Sequence, residues 1–184
     1  MELIKRHLKE KYHLTNYETA KLVYLFKTLG SELSKMLLMG LLFYRQLPLY
    51  LFALILMLCL RSTTGGMHFY TYWGCLSASV GYLWLAIYAL PQTALPRYAQ
   101  LILLTGSMLL CYLIGPVTSK YRPDLPVQRS RKFRDITCMI IFLYALFLYI
   151  IPENSFSAVG FWVIILHSLQ LCAAKIRKKG DCEK

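Results

Sequence analysis

Two residues able to do nucleophilic chemistry, His68 and Cys75, stand in a short polar interruption between apolar segments, Arg61-Ser-Thr-Thr-Gly-Gly-Met-His68-Phe-Tyr-Thr-Tyr-Trp-Gly-Cys75. Imidazole can take a thiol proton, and the thiolate can then attack a carbonyl. On an unbroken helix, residues seven apart share a face but sit ~10.5 Å apart along the axis. A thiol–imidazole hydrogen bond needs ~3–3.5 Å, so the chain between the two must bend. Gly65, Gly66 and Gly74 supply that freedom. Cys75 then opens the apolar run Leu76–Leu90. A helix start there favours a thiolate and offers free backbone N–H groups to an oxyanion. Arg61, Ser62, Gly65 and Gly66 are the candidates for shaping such a site. No Asp, Glu, Asn or Gln lies between 47 and 91 to orient His68, so the reading is a Cys–His dyad, with Ser62, Thr63, Thr64 and Ser77 as local partners. Each residue also has a purely structural reading: filler cysteine, interfacial histidine, glycine turn, arginine anchor.

The elements that must position this pair are membrane helices. Of 184 residues, 57% are apolar, and the mean hydropathy is +0.47, which points to a small polytopic all-α membrane protein. The net charge is +12. Lys and Arg crowd into 1–35, 120–134 and 175–179, flanking the apolar runs. Such blocks mark topology and contact anionic lipid; no basic stripe suits nucleic acid. The six cysteines form no CxxC pair and no metal-type spacing with histidine. No metal or other cofactor is expected. There is no GxxxxGK, HExxH or GxSxG, and the acids beyond residue 32 are Asp124, Asp135, Glu153, Asp181 and Glu183, too few for carboxylate or metal catalysis.

Residues 1–14 read as a short amphipathic helix. A second helix runs from a Thr15/Glu18 capping box to a stop at Gly30. Residues 1–35 are therefore expected to lie at the cytosolic interface, without a cleavable signal peptide. Residues 36–184 are expected to form one bundle of about six membrane segments, with a catalytic loop at 61–75. The first two, Met36–Tyr44 and Leu47–Leu60, are short for a ~30 Å hydrocarbon core and read as either a short, tilted hairpin or a re-entrant pair. The firmer four are Leu76–Leu90, Tyr98–Ile114, Ile136–Ile151 and Phe156–Ala174. The positive-inside rule puts both termini, the 61–75 loop and the 118–134 loop in the cytosol.

Arg61, Gly65-Gly66, His68 and Cys75 resemble the Arg…Gly-Gly-x-His-x6-Cys signature of the accessory gene regulator B (AgrB) family of bacterial membrane peptidases. Gly115-Pro-Val-Thr-Ser-Lys120-Tyr-Arg-Pro123 is similar to that family's second block, with Thr118 in place of its usual acid. The resemblance implies a bacterial cytoplasmic-membrane cysteine endopeptidase, working as a homodimer on an AgrD-like precursor peptide. It implies Cys75 as nucleophile, His68 as base, and a thioester acyl-enzyme resolved into a cyclic thiolactone or lactone for quorum sensing. An acidic substrate tail would suit Lys120, Arg122, Arg129, Arg131, Lys132 and Arg134. The competing reading is a non-enzymatic peptide transporter or assembly subunit with an inert Cys75. A transporter should carry polar groups at mid-membrane depth in several helices. The four firm segments carry few, among them Ser77, Ser79, Thr105, Ser107, Thr137, His167 and Ser168, and His167 reads as a hydrogen-bonded helix histidine ahead of a member of the site.

Overall fold

The computed structural model describes residues 15–66, 71–93, 95–117, 126–151 and 154–182. The amphipathic segment expected at 1–14 lies outside them. The described residues are helical, without strands, in two compact units, 1–44 and 45–184.

In the first unit, α1 spans Asn16–Leu42. Its start is the expected capping box. The Thr15 hydroxyl accepts from the Glu18 amide at 3.3 Å, and the Glu18 carboxylate accepts from the Thr15 amide at 2.9 Å. The bond from the Thr15 amide, and then one that the Thr15 hydroxyl donates to the same carboxylate at 2.8 Å, hold the Glu18 carboxyl below its ordinary value of 4.5. A lowered carboxyl stabilises the folded helix end above the ordinary value and loses that contribution as pH falls through the lowered one. Amide exchange at Glu18 and Thr19 should therefore quicken in that acidic window and stay slow above it.

The expected stop at Gly30 is absent, and α1 runs on to Leu42. A mid-helix glycine costs ~1 kcal/mol, and the apolar run from Leu33 through Phe43 outweighs it. Nothing lies within 4 Å of a Cβ built at Gly30, so no contact requires glycine there. Met36–Tyr44 is thus no separate segment. The chain breaks after Leu42, where the Phe43 amide reaches back to the Met39 carbonyl. A 3-10 turn over Tyr44–Gln46 follows.

The second unit contains α2 (Leu47–Thr64), α3 (Tyr72–Trp84), α4 (Arg97–Ile114), α5 (Val127–Ile150) and α6 (Ser155–Cys182). Pro48 sits in the first turn of α2, where it costs no hydrogen bond. Among the described residues, five stretches are long and apolar enough to cross a membrane: 44–64, 72–92, 97–114, 127–150 and 155–178. The first of these is 21 residues, so the short Leu47–Leu60 segment is corrected to a full-length candidate span.

Helices α2, α4, α5 and α6 pack around Leu60, Leu104, Cys111, Ile141, Tyr144, Leu148, Phe161, Ile164 and Leu171. Lipid is as apolar as these side chains, so close packing and interhelical hydrogen bonds must hold the bundle. Thr137 donates to Thr63 at 2.8 Å, Ser168 to Ser107 at 3.2 Å, and Tyr144 to the Ser157 carbonyl at 2.6 Å. Each such bond contributes ~0.6–2 kcal/mol in a membrane. Gly160 lets α5 and α6 approach, since a Cβ there would lie 2.6 Å from the Tyr144 hydroxyl. Gly160→Val should displace Tyr144 and cost ~1–3 kcal/mol, read as a lower unfolding midpoint in detergent.

Helix α3 joins the bundle differently. Its last residues give way to a π-helical turn, Leu85–Ala89, and a 3-10 turn, Leu90–Gln92. These two turns carry its packing on α6, and the π turn also packs on α2. The Tyr72–Trp84 part lies less closely against its neighbours.

Candidate active site

The described parts of the two sequence blocks meet at Thr64, Gly65 and Val117. Helix α2 ends at Gly65, which takes φ 76° and ψ −145° and donates its amide to the Arg61 carbonyl. The Thr64 carbonyl accepts from the Val117 amide at 2.9 Å, and Gly65 and Val117 form a parallel bridge. A Cβ on Gly65 would collide with the Val117 carbonyl oxygen. Gly66 lies against the Arg61 side chain, with Nε 3.3 Å from where a Cβ would stand. Arg61 thus folds along the turn that leads to His68. His68 itself lies outside the described residues, as do Lys120 and Arg122.

Thr64 is pinned from the other side. Its hydroxyl and His167 Nε2 are 2.7 Å apart, and both residues are buried. His167 is therefore the hydrogen-bonded helix histidine expected. Arg61 is near enough to act electrostatically on both His167 and Tyr82.

Cys75 lies in the first turn of α3, whose N-cap is Thr71. It is a half-buried free thiol. Two of the local N–H groups are already in use. The Cys75 amide already donates to the Thr71 carbonyl at 3.1 Å, and the Gly74 amide to the Thr71 hydroxyl at 3.2 Å. Gly74 is helical and so supplies no turn.

The thiol borders a pocket of about 280 Å³, counted out to open solvent, lined by Met57, Arg61, Cys75, Ala78, Ser79, Tyr82 and Gln170. Met57 and Arg61 are one turn apart on α2. Cys75, Ala78, Ser79 and Tyr82 form one face of α3. Gln170, from α6, was not singled out by sequence reasoning; an isolated amide in the apolar run Phe156–Ala174 was the available signal.

Of the remaining candidates, Ser62 is exposed, donates to the Cys59 carbonyl and lies outside the pocket lining. Arg129, Arg131 and Lys132 are exposed on the first turns of α5. Arg129 stacks over Phe133 at 5.6 Å. Arg134 is half-buried over Gly115, whose φ is 65°; a Cβ there would fall 2.5 Å from the arginine Nε. Among the described residues that Nε has no hydrogen-bond partner.

A model of the family described as accessory gene regulator B matches residues 1–171. A protein of Clostridium beijerinckii described as a putative AgrB-like protein is 25% identical over 144 residues, covering 76% of this chain and 70% of the relative. No solved structure matches. The family match takes in the Gly65–Val117 junction, the Cys75 pocket and all five candidate spans up to the last turns of α6. The chain belongs to the accessory gene regulator B family, whose role is in agr quorum-sensing peptide processing.

Proposed function

We propose that this protein is a membrane cysteine endopeptidase that cleaves an AgrD-like precursor through a thioester on Cys75 and hands the retained part over to cyclisation. The observation that carries the reading is a half-buried free thiol, in the first turn of a membrane helix, facing a pocket that also receives Arg61. His68 takes the thiol proton as sulfur attacks the scissile carbonyl. The tetrahedral carbon expels the amine of the C-terminal fragment, which takes the proton back from His68. A thiol or hydroxyl of the retained peptide then attacks the thioester carbonyl, Cys75 leaves, and a thiolactone or lactone closes.

Exchange of one thioester for another is nearly isoenergetic, so water must be kept from the acyl-enzyme for cyclisation to win. A pocket walled by Met57, Ala78 and three membrane helices suits that requirement. The cytoplasmic membrane, with the Cys75 end on the cytosolic side, is the location we assign. At that end α5 and α6 carry exposed Arg129, Arg131, Lys132, Lys175 and Arg177, in the sense of the positive-inside rule. With Lys120, Arg122 and Arg134 they would receive an acidic substrate tail. A homodimer is the assembly we assign to the working enzyme.

The test is intact mass spectrometry of the protein in liposomes with its precursor peptide. A peptide-sized adduct released by hydroxylamine, present on wild type and missing on Cys75→Ala, is expected. A folded wild-type protein that gains no adduct and cleaves nothing would point instead to a transporter or assembly subunit.

A further inference from the structure

An acyl transfer at Cys75 needs hydrogen-bond donors for the oxyanion. The amides of Gly74 and Cys75 are already bonded to Thr71, which leaves a role for donors on side chains that reach the thiol.

The register of α3 against α6 shows which. Tyr82 donates its hydroxyl to the Val163 carbonyl at 2.6 Å, which fixes these two helices at one level. They run antiparallel, because the Cys75 end of α3 meets the later part of α6. Cys75 precedes Tyr82 by seven residues and Gln170 follows Val163 by seven, each a step of ~10.5 Å and about two turns. The same face is therefore kept on both helices, and Cys75 and Gln170 arrive level with one another across the pocket that both line. Among the described residues the Gln170 carboxamide has no hydrogen-bond partner. An amide within a membrane helix is costly unless something uses it. Met57 and Ala78 leave the pocket partly apolar, where a fixed dipole acts more strongly than in water.

We propose that Gln170 is a catalytic residue of the Cys75 site, its side-chain Nε2–H donating to the substrate carbonyl oxygen as that oxygen becomes an oxyanion. The step balances as follows. The sulfur–carbon bond forms while the carbonyl π pair moves onto oxygen, where Gln170 meets it. That pair returns to re-form the carbonyl as the carbon–nitrogen bond breaks, and the leaving amine takes its proton from His68. Arg61, on the same pocket, supplies positive potential beside it. This assignment rests on the proposed peptidase reading.

The test uses full-length protein in liposomes with its precursor peptide. Gln170→Met keeps the size and removes the donor; Gln170→Glu keeps size and polarity and replaces the donor by an acceptor. Both should lower single-turnover acylation at saturating peptide by about 100-fold, as loss of one oxyanion donor does. The peptide concentration for half-maximal rate should move by less than about threefold, since the contact forms in the transition state. Alkylation of Cys75 by iodoacetamide, which builds no oxyanion, should keep its wild-type rate. Acylation within about threefold of wild type in Gln170→Met overturns the assignment. So does an alkylation rate that falls in step with acylation, which would make Gln170 a residue positioning the thiol or His68. Should Gln170→Met fail to insert, Gln170→Glu carries the same comparison. Cleavage surviving in Cys75→Ala would remove the peptidase reading itself, whereas a wild-type-like Gln170→Met beside an inert Cys75→Ala removes this assignment alone.

Discussion

A variant that keeps Cys75 as its sole cysteine should still cleave its precursor, and Cys75→Ala in that background should lose cleavage by at least about 10⁴-fold. Positions around the other cysteines support the first half. Of the other five, Cys59 is exposed on α2, Cys111 is buried in the core, and Cys138 and Cys172 are half-buried on α5 and α6, none of these four lining the pocket, while Cys182 ends α6. Each can be replaced by alanine or serine without touching Arg61, Cys75 or Gln170. Cys75→Ser should be nearly as inert as Cys75→Ala, because a serine hydroxyl is a far weaker nucleophile when the base is tuned for a thiol. His68→Ala should cost about 10²–10⁴-fold, the usual contribution of a general base. Residues of one catalytic unit are non-additive, so the double variant His68→Ala/Cys75→Ala should be no slower than Cys75→Ala alone. Precursor cleavage followed by mass, with size exclusion as a check of folding, measures all four. A Cys75→Ala protein that still cleaves would remove the thiol from the mechanism.

Much of this arrangement was legible before any coordinates. The Thr15/Glu18 box is a local signal, and it forms as written. The apolar runs from Leu76 onward were readable because length and hydropathy suffice to mark a membrane helix. Gly30 misled because a glycine stop and a glycine tolerated within a helix look alike in one sequence; the apolar residues that follow decide. The Leu47–Leu60 run looked short because Arg61-Ser-Thr-Thr reads as loop, yet the helix keeps its polar last turn by bonding it inward. Thr63 accepts from Thr137, and Thr64 pairs with His167. Two of the amides near Cys75 are taken up for a related reason. Thr71 is a good N-cap, and it takes the amides of Gly74 and Cys75. Gln170 could not be tied to Cys75 at all from sequence, since their meeting depends on the Tyr82–Val163 register between helices far apart in the chain.

Gly65→Val should bring cleavage down by about 10³-fold while leaving most of the bundle folded. Two independent constraints meet at this position. The backbone sits at φ 76° and ψ −145°, a region that is nearly exclusive to glycine, and a β-branched residue is least able to adopt it. A Cβ would also strike the Val117 carbonyl oxygen. That oxygen cannot simply step aside, because the Val117 amide is bonded to the Thr64 carbonyl and Thr64 is held in turn by His167. The strain, ~1–3 kcal/mol, must then be relieved by the free side of the turn, toward Gly66 and His68. A displacement of ~1 Å in a catalytic group costs about 100-fold, and both His68 and the Arg61 side chain packed on Gly66 would move. Gly65→Ala, with the same clash but an unbranched side chain, should fall between wild type and valine. The melting midpoint and the α6 helix content should change little, since the core residues Leu60, Ile164 and Leu171 lie in packed helices. Rapid cleavage by a well-folded Gly65→Val protein would show that the α2 terminus and the 115–117 turn need not be joined for the chemistry at Cys75.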